Sequence, residues 1–252
     1  MFKREQTAYK ILYCILVIVI ALIYSGFILL KNIMFVNVSF VISALVLTAS
    51  SIMPYLYFTE KGLRRIYLYL IIATFSLFAA KVLIFIAQFH PELFNIILLL
   101  RTSLYLTYYL FFAFCVAAFL KFWVVPVDKA GAVNKVFLAS FLCLLIFFTF
   151  NTYLLILHGK LVFGEHIIYL ISSSLDAFFI PLLTYILYIF RKSVFEESWL
   201  LILLGIVLEF LGSFGHHLSV IGILFEPPIV IFQILIIGGY LLAAYGFFKQ
   251  IF

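Results

Sequence analysis

Inside otherwise apolar segments, this chain carries six side chains able to hold a charge or a proton: Lys81, Arg101, Asp176, Glu209, His216 and His217. Tyr105, Asn151, Ser213 and Gln233 add hydroxyl and amide groups in the same kind of surroundings. An ionisable group in hydrocarbon is costly, so by default it marks a functional site with partners on neighbouring helices. The densest stretch is 199–225, WLLILLGIVLEFLGSFGHHLSVIGILF, which holds Glu209, Ser213 and both histidines.

Spacing limits what these groups can do together. Adjacent residues on a helix point about 100° apart, so His216 and His217 cannot face one point. Glu209 and His216 share a face but lie about 10 Å apart along the axis. Neither pair can ligate one metal, and no HxxxH or HExxH spacing occurs. Asp176 and a helical histidine of 199–225 share an expected depth, which suggests a proton-sensitive carboxylate–imidazole hydrogen bond. Arg101, Tyr105 and Tyr108 follow each other at i, i+4 and i+7 as one polar-aromatic stripe. With Lys81 on the preceding segment, that stripe forms a cationic wall suited to a carboxylate, a phosphate or a quinone oxygen. Asn151 and Gln233 serve either as interhelical hydrogen-bonding groups or as part of the same pocket.

The segments that position these groups read as membrane helices. Of 252 residues, 67% are hydrophobic and only 10% are charged, far from the roughly 25% charged of a soluble domain. Apolar runs at 11–30, 37–58, 66–89, 94–123, 136–157, 166–190, 199–225 and 229–248 each reach the roughly 20 residues that span a bilayer. The fold class is therefore an all-α membrane protein, a single bundle of eight transmembrane helices across 1–252. The first run is too long, and lacks the small-residue cleavage site, for a signal peptide. The polar stretch 59–65, TEKGLRR, reads as a loop broken by its glycine. Pro181 lies five residues after Asp176 and is expected to kink the sixth segment.

Charge fixes the expected orientation. With a cytoplasmic N-terminus, twelve Lys and Arg fall in cytoplasmic segments and two, Lys31 and Lys160, in outer loops. The net charge of +6 thus reflects the positive-inside rule rather than a nucleic-acid partner. Both termini are expected in the cytoplasm and the chain in the plasma membrane. Helical rise then places Lys81, Arg101, Asn151, Asp176, the histidines and Gln233 about 6–15 Å below the outer helix ends. Glu209 is expected near mid-membrane or slightly deeper. Cys14, Cys115 and Cys143 are scattered through apolar runs and read as packing residues.

A polar outer half over a sealed inner half fits a sensing or receptor-like module best, with a small ligand or pH as its input. No output domain follows the eighth segment, so a protein partner in the membrane or cytoplasm is expected to carry the signal. One alternative is a membrane subunit of a redox complex that binds quinone. Haem b fits less well, because His90, His158 and His166 sit at outer helix ends, above His216. A secondary transporter is the other alternative, although no polar path continues inward. No nucleophile–base spacing points to an enzyme, and nothing in the sequence identifies a cofactor.

Overall fold

The computed structural model describes residues 33–124, 130–157, 165–221 and 229–251, together with Cys14 and Ile18. The described residues form helices joined by short turns, without strands. Its helices are α1 (Ile33–Tyr57), α2 (Lys61–Ala87), α3 (Phe94–Val124), α4 (Ala130–Leu157), α5 (Glu165–Ile189), α6 (Glu196–Ile221) and α7 (Ile229–Lys249). These seven are each long and apolar enough to cross a membrane, which marks a multi-pass membrane protein. The predicted first helix, 11–30, lies outside the described residues except for Cys14 and Ile18, both helical.

Six helices close on one another in the order α1–α2–α3–α5–α6–α7, with α7 packed back on α1. The fourth, α4, lies outside this ring against α5. It exposes Leu138, Phe141, Leu142, Leu145, Ile146 and Phe148, as a helix surrounded by lipid does. Asn151 ties α4 to α5 by donating to Ser173 Oγ at 3.0 Å. Ser51 and Thr74 hydroxyls, 3.0 Å apart, join α1 to α2.

Two boundaries correct the sequence reading. The expected loop 59–65 is mostly helix, because α2 begins at Lys61 and runs through Gly62. Gly62 is there for closeness: a Cβ would meet the Phe122 ring of α3 at 2.5 Å. The polar residues Lys61, Arg64 and Arg65 simply extend the helix past its apolar portion. Similarly, α4 starts at Ala130 rather than 136, carrying Asn134 and Lys135 in its first turns.

The tightest pairing is α6 against α7. A Cβ on Gly205 would lie 2.7 Å from the Gly239 carbonyl oxygen, and one on Gly239 would lie 2.6 Å from that of Gly205. Near the start of α6, a Cβ on Gly246 would meet the Ser198 oxygen at 2.7 Å. Small residues allow this backbone-to-backbone approach, which packing between membrane helices favours. Glu209 and Tyr240 stand beside this seam, so their relative position is set by backbone contact.

At the end where α1 and α3 finish and α6 starts, aromatic rings gather. Phe119 and Trp199 ring centres are 4.5 Å apart, and Trp123 meets Phe190 edge-on at 5.6 Å. With Phe58, Tyr67 and Gln250 they surround a cavity of about 90 Å³. The Tyr67 hydroxyl donates to Gln250 Oε1, tying α2 to the end of α7.

Candidate functional site

Among the described residues, the ring of helices encloses four ionisable side chains, Lys81, Arg101, Asp176 and Glu209, all almost wholly buried. Helix direction explains where the two cations reach. Every Cα–Cβ bond tilts toward its helix N-terminus. On α2, whose N-terminus is at the aromatic end, the Lys81 stem leans toward mid-bundle. On α3, which runs the other way, Arg101 leans toward the α2–α3 turn. Two cations at similar depth are thereby aimed in opposite directions.

Lys81 Nζ lies within an aromatic cage. It is 4.4 Å from the Phe40 ring centre, 5.3 Å from Tyr105 and 5.4 Å from Tyr240, on α1, α3 and α7 respectively. A desolvated cation gains up to about 2 kcal/mol from a ring face. Removing an ammonium from water costs several kcal/mol even after relaxation, so rings alone offset only part of that cost. Glu209 on α6 and Asp176 on α5 are both close enough for their charges to act on Lys81.

Each carboxylate has its own tyrosine. Glu209 is within hydrogen-bonding reach of the Tyr240 and Tyr108 hydroxyls. Tyr109 donates to Asp176 Oδ1 at 2.9 Å and also approaches the Ser172 carbonyl oxygen at 3.3 Å. Adjacent tyrosines point about 100° apart on α3, which lets Tyr108 serve α6 and Tyr109 serve α5. Asp176 Oδ2 takes no hydrogen bond among the described residues. The hydrogen bond shown to Asp176 comes from Tyr109 on α3, in place of the direct bridge expected from His216 or His217.

Replacing Tyr109 with phenylalanine leaves the ring stacking on Phe179, 6.3 Å between centres, and removes only the hydroxyl. A hydrogen bond contributes about 0.5–1.5 kcal/mol net, and one to a charged group about 1.5–3 kcal/mol. Tyr109→Phe is expected to destabilise the purified protein by about that amount in denaturant titration. No change in midpoint would show that the Asp176 contact is idle.

Arg101 connects this cluster to the outside of the ring. Its guanidinium carbon is 6.0 Å from the Tyr105 ring, the same ring that Lys81 approaches, and its charge acts on Lys81. It also lines a cavity of about 240 Å³ between α1, α2 and α3. Asn37 and Gln88 contribute the other polar groups of the lining, and Ile84, Phe94, Ile97 and Leu98 its apolar part. Gln88 and Phe94 are exposed at the α2–α3 turn, so the cavity opens there.

The other anticipated residues lie elsewhere. Asn151 belongs to the seam between α4 and α5. Ser213, His216 and His217 are buried on α6, where Gly215 packs on the Phe232 ring of α7. Gln233 is half-buried on α7, and its buried Oε1 accepts no hydrogen bond among the described residues. Conversely, Phe40, Tyr109, Tyr240, Asn37 and Gln88 belong to the site without having been singled out. No family model matches the chain, and no curated protein or solved structure matches it either.

Proposed function

We propose that this chain is a receptor-like module of the plasma membrane, with eight spanning helices and both termini cytoplasmic. A small ligand enters at the α2–α3 turn, on the outer face, and a protein partner carries the signal onward. One observation supports this reading: the cavity residue Arg101 and the buried Lys81 share the Tyr105 ring. A ligand arriving at Arg101 therefore alters the field on Lys81, and through it on Glu209 of α6. The glycine seam makes α6 and α7 respond as a pair, and the first turn of α6 carries Trp199 into the opposite aromatic cluster.

The chain's two tryptophans, Trp123 and Trp199, both lie in that cluster, which makes their fluorescence a reporter of the far end. Arg101 and Trp123 are 22 residues apart on α3, about 33 Å along the axis. Titrating a panel of small carboxylates, amines and alcohols into the protein in nanodiscs should yield one class that shifts tryptophan emission saturably. If no class does so, the receptor reading is wrong. In intact cells, a C-terminal tag should resist external protease until the membrane is permeabilised, and cleavage beforehand would reverse the orientation.

A further inference from the structure

We propose that the aromatic cavity at the Trp199 end of the bundle docks the protein partner, which inserts one branched aliphatic side chain from an acidic segment. This deepens the receptor reading and rests on it. The cavity belongs to the end face of the bundle. Of its lining, Phe58 follows α1, Phe195 precedes α6 and Gln250 follows α7, all outside the helices. Trp123 is exposed and Phe195 half-buried, so the cavity opens between them. One polar group lines it. Gln250 is only 5% exposed, and Tyr67 occupies its Oε1. None of the described residues accepts from its Nε2–H. A buried donor without an acceptor costs free energy, and a main-chain carbonyl entering with the side chain satisfies it.

Size and charge select the occupant. About 90 Å³ is roughly three waters at about 30 Å³ each. An apolar cavity of about 150 Å³ accepts benzene, so this smaller one suits a branched aliphatic side chain better than a ring. Val194, 87% exposed in the turn before Phe195, adds apolar surface next to the lining. Exposed cations stand close in sequence to the lining residues. Lys61 and Arg64 flank Leu63, Lys121 precedes Trp123, and Arg191 and Lys192 follow Phe190. The carboxylates in the first turn of α6 are engaged, Glu197 with Lys249 and Glu196 with the Lys192 backbone N–H. A basic rim steers and orients acidic residues on either side of the inserted chain. Trp199 of α6 and Gln250 beyond α7 are both walls, so the partner touches the two helices that the glycine seam couples.

The test uses the full chain in phosphatidylcholine nanodiscs, one copy per disc, and a capped peptide with a central leucine between runs of glutamate. Trp123 and Trp199 both line the cavity, so tryptophan emission reads its occupancy. The leucine peptide should shift that emission saturably. Alanine in place of leucine should weaken binding roughly tenfold or more. Lysine in place of the glutamates should weaken it severalfold at least. Lys121→Gln combined with Arg191→Gln, both on the exposed rim, should cost severalfold in affinity without moving the denaturation midpoint. Gln250→Glu keeps an acceptor for Tyr67 and removes the donor, and should also cost severalfold. Equal binding of the alanine or the lysine peptide overturns the proposal, as does no saturable shift from the leucine peptide. A shift produced by phosphatidylglycerol in the disc, with none from the peptide, assigns the rim to lipid phosphates and overturns it too. A shift that requires two chains in one disc, again with none from the peptide, makes a second copy the occupant and overturns it likewise. Ligand titration at the Arg101 end involves no peptide, so failure of the docking alone leaves the receptor reading standing.

Discussion

Lys81→Met should destabilise the protein by about 3–5 kcal/mol, the cost of stranding a buried charge when its partner is removed. Methionine keeps most of the stem and packs well on aromatic rings, so little of this loss would come from packing. The loss comes instead from Glu209 and Asp176, which would share the interior with Arg101 as their remaining cation. The cage itself contributes less. Three rings at 4.4–5.4 Å from Nζ hold a cation in place but cannot neutralise two carboxylates. Lys81→Arg should therefore cost less than Lys81→Met, because it preserves charge and loses only the fit of a compact ammonium within the rings. Denaturant titration in mild detergent reads both. Equal losses for the two variants would show that the position needs shape rather than charge.

A second large effect is expected where no polar group is involved. Gly239→Leu would drive a Cβ to 2.6 Å from the Gly205 carbonyl oxygen and 3.0 Å from the Glu209 nitrogen. Neither neighbour is a side chain that can swing aside, so α6 and α7 would have to separate. Overpacking of this kind typically costs about 1–3 kcal/mol, and more where backbone is the obstacle. The expected loss is at or above the upper end of that range. The adjacent Gly238 is the control, since a Cβ there meets only the Leu208 Cδ1 at 3.9 Å. Gly238→Ala should be neutral or stabilising by up to about 1 kcal/mol through helix propensity. If the two substitutions behave alike, the close seam is not present in the protein.

The seam and the ring of helices were visible in the sequence to different degrees. Apolar runs separated by short polar stretches located all seven described helices to within a few residues. Polar residues at helix ends blurred the boundaries at 59–65 and before 136, because charge outside the membrane does not interrupt a helix. Small residues such as Gly239 and Ala243, or Gly212 and Gly215 on either side of Ser213, are visible in the sequence, but their packing partners are not. Small-residue spacing states that something packs closely and does not say against what.

For the candidate site, depth was legible and direction was not. Counting residues along the axis grouped Lys81, Arg101 and Asp176, and both of the latter stand near enough for a charge on either to act on Lys81. It left Glu209 apart, because rise alone ignores that Lys81 leans toward the N-terminus of α2 and so reaches toward it. It also paired Asp176 with a histidine of equal depth, although a phenol on α3 holds that position. Helices that are apolar nearly all round, such as α3, do not reveal which way each residue faces. Tyr240 could have been noticed as a hydroxyl amid GGYLLAA. Phe40, one of 32 phenylalanines, carries no such signal.

The central claim is that Lys81 and Glu209, on helices that are not neighbours in sequence, form one energetic unit inside the ring. A double-mutant cycle with Lys81→Met and Glu209→Gln measures this most directly, by denaturant titration of all four proteins. Each single substitution removes one charge. The double variant removes both, while Tyr108 and Tyr240 keep the amide introduced at position 209 as a partner. The double variant should recover much of the stability lost in Lys81→Met, with a coupling of about 1.5–3 kcal/mol. Losses that add to within about 0.5 kcal/mol would mean that the two side chains do not interact, and the buried charge network would not exist as described.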